Sequence, residues 1–146
     1  MSSAGRVKIA GRSAAEWALA AEALLLLAGF RMALTLVPVR RILQGVAGGS
    51  SELKVAPSQR DRTIAVRVRW AVEAVVRHSP VRFVCFPQAL TGYVMLRRRR
   101  VCGTMIYGMA RSATGELIAH TWLMLGERCV LGGEAAGEYT AVERWG

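Results

Sequence analysis

The 146-residue sequence predicts an α+β domain in which a cysteine-bearing helix packs on a small antiparallel sheet, behind an N-terminal helical extension. Two observations predict it. Up to Arg100 the apolar residues recur at helical spacing. From Val101 onward short β-prone runs are separated by turn residues, Ser112-Ala113-Thr114-Gly115 and then Gly126-Glu127-Arg128. Helices first and a meander second is the α+β order. The length suits one domain that buries roughly two-thirds of its unfolded surface.

Residues 1–12 are small and basic and read as flexible. The first helix starts at Ser13, where Ser-Ala-Ala-Glu forms a capping box with Glu16, and it must stop before Pro38. A membrane span needs about 20 largely uncharged residues. Glu16, Glu22 and Arg31 interrupt this run, so a buried or interfacial helix is the better reading, and Arg40 and Arg41 keep a membrane-surface role open. Residues 1–47 thus form the helical extension. Residues 48–60 are rich in Gly and Ser and read as a linker, and residues 61–146 hold the chemistry. A second helix spans about Asp61 to Arg77, with Ile64, Val68, Ala71, Val72 and Val75 as its apolar stripe. The third carries Cys85 at its start, Pro87 in its first turn and Arg97 to Arg100 at its end. Strands are expected over Val101 to Met109, Leu117 to Leu125 and Cys129 to Leu131.

Composition narrows the function. Hydrophobic residues make up 53% of the chain and the net charge is +10, a balance that suits nucleic acid, a membrane surface or an acidic peptide. Aromatic residues are few and no stacking motif is present, so nucleic acid is not expected as a partner. Three cysteines, without paired spacing, zinc spacing or a cleavable signal, fit a reducing cytoplasm.

A thiol at the positive end of a helix is favoured as thiolate. Alternation over Leu117 to Leu125 puts His120, Trp122 and Met124 on one face and Ala119, Thr121 and Leu123 on the other. If the first of those faces packs on the Cys85 helix, His120 is aimed at the thiol as its base. Taken alone, Cys85 is a small buried hydrophobe and His120 a satisfied core histidine. Their order and their elements favour the catalytic pair. Cys102 and Cys129 read as core residues, and His78 as a partner of the last carbonyls of its helix. The arginine run reads as a solvated helix end or as a contact for an acidic partner.

Cys85 in Val-Cys-Phe-Pro-Gln-Ala-Leu, followed by His120 in Ala-His-Thr-Trp-Leu-Met-Leu, resembles the lasso-peptide biosynthesis leader peptidases, cysteine proteases of the transglutaminase-like superfamily. The resemblance covers about Asp61 to the C-terminus and implies a transglutaminase/papain-like core. It further implies removal of the leader from a ribosomally made precursor peptide, a leader-binding recognition protein and a downstream lasso cyclase. The chemistry calls for no cofactor and no metal. The resemblance also implies an acid about a dozen residues after the histidine. Glu134 is the nearest candidate here; a backbone carbonyl in its place, or a simple dyad, stays open. A non-catalytic peptide- or membrane-binding scaffold of the same fold is the alternative, and the same pair could serve transglutamination or amide hydrolysis.

Overall fold

Capping and proline set the helix boundaries. In the computed structural model, residues 11–46 and 56–146 are described; the expected flexible start and most of the expected linker lie outside them. Helix α1 runs Ala14–Leu36, with Ser13 and Glu16 exchanging the two bonds of the capping box. It is long and apolar enough to cross a membrane, with a mean hydropathy of 1.7. Pro38 forces Val37 into extended backbone, which ends α1. The chain then turns into a separate helix α2, Val39–Val46, which the sequence reading had not resolved.

Helix α3 spans Gln59–His78, starting two residues before the expected Asp61. The reason is a second capping box. Ser58 Oγ accepts from the Asp61 N–H at 3.2 Å and the Asp61 carboxylate accepts from the Ser58 N–H at 2.9 Å. An aspartate stands where Glu or Gln usually does, so the signal is easy to pass over. Helix α4, Cys85–Arg98, has Val84 as its N-cap and no side-chain cap.

Strands β1 (Thr104–Arg111), β2 (Leu117–Leu125), β3 (Arg128–Leu131) and β4 (Thr140–Trp145) form one antiparallel sheet in the order β3-β2-β1-β4. β1 begins three residues later than expected, and β4 lies beyond the expected meander. The architecture is α+β with an N-terminal helix, as expected.

The core lies between the helices and one face of the sheet, where Leu27, Val68, Val72, Leu90, Leu96, Met105 and Leu123 are buried. Gly92 fixes the distance between α4 and the sheet. A Cβ there would lie 2.5 Å from Leu131 Cδ1 and 2.8 Å from Leu123 Cδ2, so only glycine allows so close an approach. The arginine run is structural. Arg98 and Arg99 both pair with Glu22 of α1, at 3.1 and 2.5 Å, and Arg97 donates to the Val46 carbonyl of α2. It fastens the end of α4 to the N-terminal helices.

Ser58→Ala should lower stability by about 1 kcal/mol, read by denaturant unfolding. The Asp61 carboxyl is held below the usual aspartate range, chiefly by the Ser58 backbone N–H and then by the Ser58 side chain. A depressed carboxyl stabilises the fold above its unfolded pKa, and the effect is lost as pH falls through its folded pKa. Asp61→Asn should therefore destabilise at neutral pH, with the gap to wild type closing in acid; a pH-independent gap contradicts this.

Candidate active site

Cys85 is the first residue of α4. The N–H groups of a first helical turn have no intrahelical acceptors, and Val84 supplies no side-chain cap. Gln88 reaches back instead: its Nε2 donates to the Phe83 carbonyl at 2.7 Å and holds the entry of the chain into the helix. Cys85 is half-buried on the wall of an open groove of about 1210 Å³. The groove runs between the α1–α2 corner, the start of α4 and the β1–β4 part of the sheet. Tyr107 and Trp145 contribute neighbouring rings with centroids 6.4 Å apart. Glu143 and Thr121 also line it, and both are cross-strand partners of Tyr107. Arg40 and Gln44 come from α2. Sequence reading missed Tyr107, Glu143 and Trp145; Tyr107 reaches the site through the pairing of β1 with β2, and Glu143 and Trp145 through the pairing of β4 with β1.

His120 is on the other side of the sheet. Thr121, Leu123 and Leu125 turn toward the helices, so by alternation His120 and Trp122 turn away. There the His120 ring stacks on Trp122 at 6.0 Å between centroids and lies 5.1 Å from the Tyr139 ring. Gly108, opposite His120 in the register, leaves room for this cluster; a Cβ on it would lie 2.7 Å from the Trp122 ring. His120 Nε2 is 2.7 Å from the Gly132 carbonyl. A carbonyl oxygen can only accept, so Nε2 donates its hydrogen to it.

The expectation that His120 and Trp122 face the Cys85 helix is therefore corrected. Leu123 and Leu125 belong to the core against the helices, and Trp122 is buried on the far side of the sheet, over Gly108. Among the described residues, no histidine lines the groove. Glu134 is exposed and accepts no hydrogen bond among the described residues, and the hydrogen-bond partner of the imidazole is the Gly132 carbonyl. Gly132 adopts φ +77°, a left-handed conformation.

Cys102 is exposed in the connection before β1, not in the core as expected. Cys129 is half-buried, its Sγ 3.3 Å from the Leu131 carbonyl and 3.5 Å from that of Leu123, and burial pushes its thiol pKa up. His78 Nδ1 donates to the Ala74 carbonyl at 2.8 Å, as a helix-end histidine is expected to.

A family model for the transglutaminase-like superfamily matches residues 24–144. No curated protein and no solved structure matches the chain.

Gly132→Ala should cost about 1–3 kcal/mol, because it combines positive φ with a Cβ only 2.9 Å from the Thr121 carbonyl. Thermal unfolding checks it, and an unchanged midpoint contradicts it. In timed alkylation followed by peptide mapping, Cys129 should be the slowest of the three thiols to react.

Proposed function

This chain belongs to the transglutaminase-like superfamily, and we propose that within it the chain is a cysteine endopeptidase that removes the leader of a lasso-peptide precursor. The observation that carries this reading is a thiol at an uncapped helix start on the wall of an open groove. The groove suits an extended peptide, with aromatic and aliphatic walls for side chains and Arg40 and Glu143 for charges.

In this reading Cys85 Sγ, as thiolate, attacks the carbonyl carbon at the leader–core junction. The oxyanion is received by unpaired N–H groups at the start of α4, the Cys85 N–H first. An imidazolium gives its proton to the leaving amine and the C–N bond breaks. Water then adds to the thioester, giving its proton back to the imidazole, and the C–S bond breaks. His120 is the imidazole we assign, with the Gly132 carbonyl in place of an acid.

His120 must first reach the groove. The start of β2 pairs with β1 on one side only, and Leu117, Ile118 and Ala119 are all exposed. A bulge inserted between His120 and Thr121 would turn the imidazole over and leave the buried Thr121, Trp122 and Leu123 in place. The cost is the bond to Gly132 and the stack on Trp122. A leader-binding recognition protein holding the precursor is the natural source of that energy, and a lasso cyclase would take the core peptide, all in the cytoplasm.

The position of His120 also favours a second reading, in which the groove binds a peptide without cutting it. Incubating the protein with precursor and recognition protein, followed by mass, separates the two. The peptidase reading expects cleavage that Cys85→Ala abolishes and His120→Ala lowers by about 10²–10⁴-fold. Glu134→Gln should stay within about twofold of wild type, less than 0.5 kcal/mol in barrier. Precursor bound but intact supports the second reading. Full activity in His120→Ala removes that residue from the chemistry.

A further inference from the structure

The α1–α2 corner carries an apolar surface that the fold does not use. Helix α1 buries Leu19, Ala23 and Leu27 against α3 and α4. Its opposite face presents Trp17, Leu24, Leu25, Met32 and Leu36 to solvent, Leu25 at 74%, Met32 at 63% and Leu36 at 79% exposure. Both acids of α1 are engaged elsewhere, Glu16 in the cap with Arg12 and Glu22 with Arg98 and Arg99. The exposed face from Trp17 to Leu36 holds no acid.

The surface continues past the helix. Val39 at the start of α2 is exposed, and so are Val81 and Val84 in the segment leading to Cys85, Val84 at 66%. Arg31 joins that segment to α1 by donating to the Arg82 carbonyl at 2.9 Å. Arg31, Arg40, Arg41 and Arg82 flank the apolar residues, and among the described residues none of the four pairs with an acidic side chain.

We infer that this surface docks the protein on an anionic membrane, with α1 lying in the interface. A helix that lies in an interface needs an apolar face at the acyl boundary and arginines at headgroup level. Each cation near an anionic leaflet adds to the attraction. A protein interface carries on average about one hydrogen bond per 100–200 Å². From Trp17 to Leu36 the exposed face offers only Thr35 and Arg31. Spanning is disfavoured because it would pull Leu19, Ala23 and Leu27 out of the core.

The docking face adjoins the groove. Val39, Arg40 and Val84 belong to both, and Cys85 follows Val84 directly. Docking therefore brings the mouth of the groove to the lipid surface. This inference stands whether or not the groove cleaves its peptide.

Sedimentation of the full chain with vesicles tests it, with a lipid-free control. Binding is expected to vesicles of phosphatidylcholine mixed with phosphatidylglycerol, weakly to phosphatidylcholine alone, and to fall as salt is raised. Leu25→Glu and Met32→Glu, both at exposed positions and each checked for an unchanged melting midpoint, should lower the bound fraction at least tenfold (an estimate from the loss of apolar contact plus charge repulsion). Three results would overturn the inference: no binding to the anionic vesicles by folded protein, equal binding to both lipids, or pelleting that resists alkaline carbonate, which means a spanning helix. Lipid-free self-association removed by the same two variants would also overturn it, since a second copy would then cover the face.

Discussion

Strand alternation in β2 is the constraint on which this molecule turns. Leu123 and Leu125 are buried against the helices, and Gly92 lets α4 settle directly on Leu123 and Leu131. Once those side chains point inward, period two leaves no choice for their neighbours. Thr121 faces the Cys85 side, and His120 and Trp122 face away. Burying a leucine is worth about 1.5–3 kcal/mol, so Leu123 and Leu125 hold this face of β2 against the helices, while Trp122 is buried over Gly108 on the other face. The core decides the site.

The same packing explains where the groove lies. Gly92 fixes the middle of α4 over β2 and β3, and the helix start then overhangs Tyr107, Thr121 and Trp145. At the far end Arg97, Arg98 and Arg99 tie α4 to Val46 and Glu22. α4 is thus held at its middle by a glycine contact and at its end by charge. Its start is left uncapped, with the thiol on it.

Much of this was legible in the sequence, and the exceptions have physical causes. Ser13 with Glu16 and the break at Pro38 located α1, and the strand β2 was read to the residue, because capping and alternation are local signals. The Ser58–Asp61 box went unread because it uses the shorter acid. Helix α2 was missed because it is only eight residues long and runs at Gly45 into glycine-rich sequence that reads as loop. Which face of β2 meets α4 is a tertiary choice made by Leu123 and Leu125, and no local pattern around His120 records it. The groove residues Glu143 and Trp145 depend on β4 pairing with β1, a contact up to forty residues apart (Met105 with Trp145). That the Gly132 carbonyl holds His120 leaves no trace in side-chain identities.

In this structure the Cys85 thiol stands in a groove, while the His120 imidazole proposed as its partner is held on the other side of the sheet by the Gly132 carbonyl. Disulfide trapping measures that separation directly. In a chain carrying His120→Cys, with Cys102→Ser and Cys129→Ser, a bridge to Cys85 requires the two Cα atoms to come within about 7 Å. The account predicts no bridge in the protein alone under mild oxidant, and a bridge when precursor and recognition protein are present. A bridge formed in the protein alone contradicts the resting geometry; none formed in the full mixture contradicts the assignment of His120 to the chemistry.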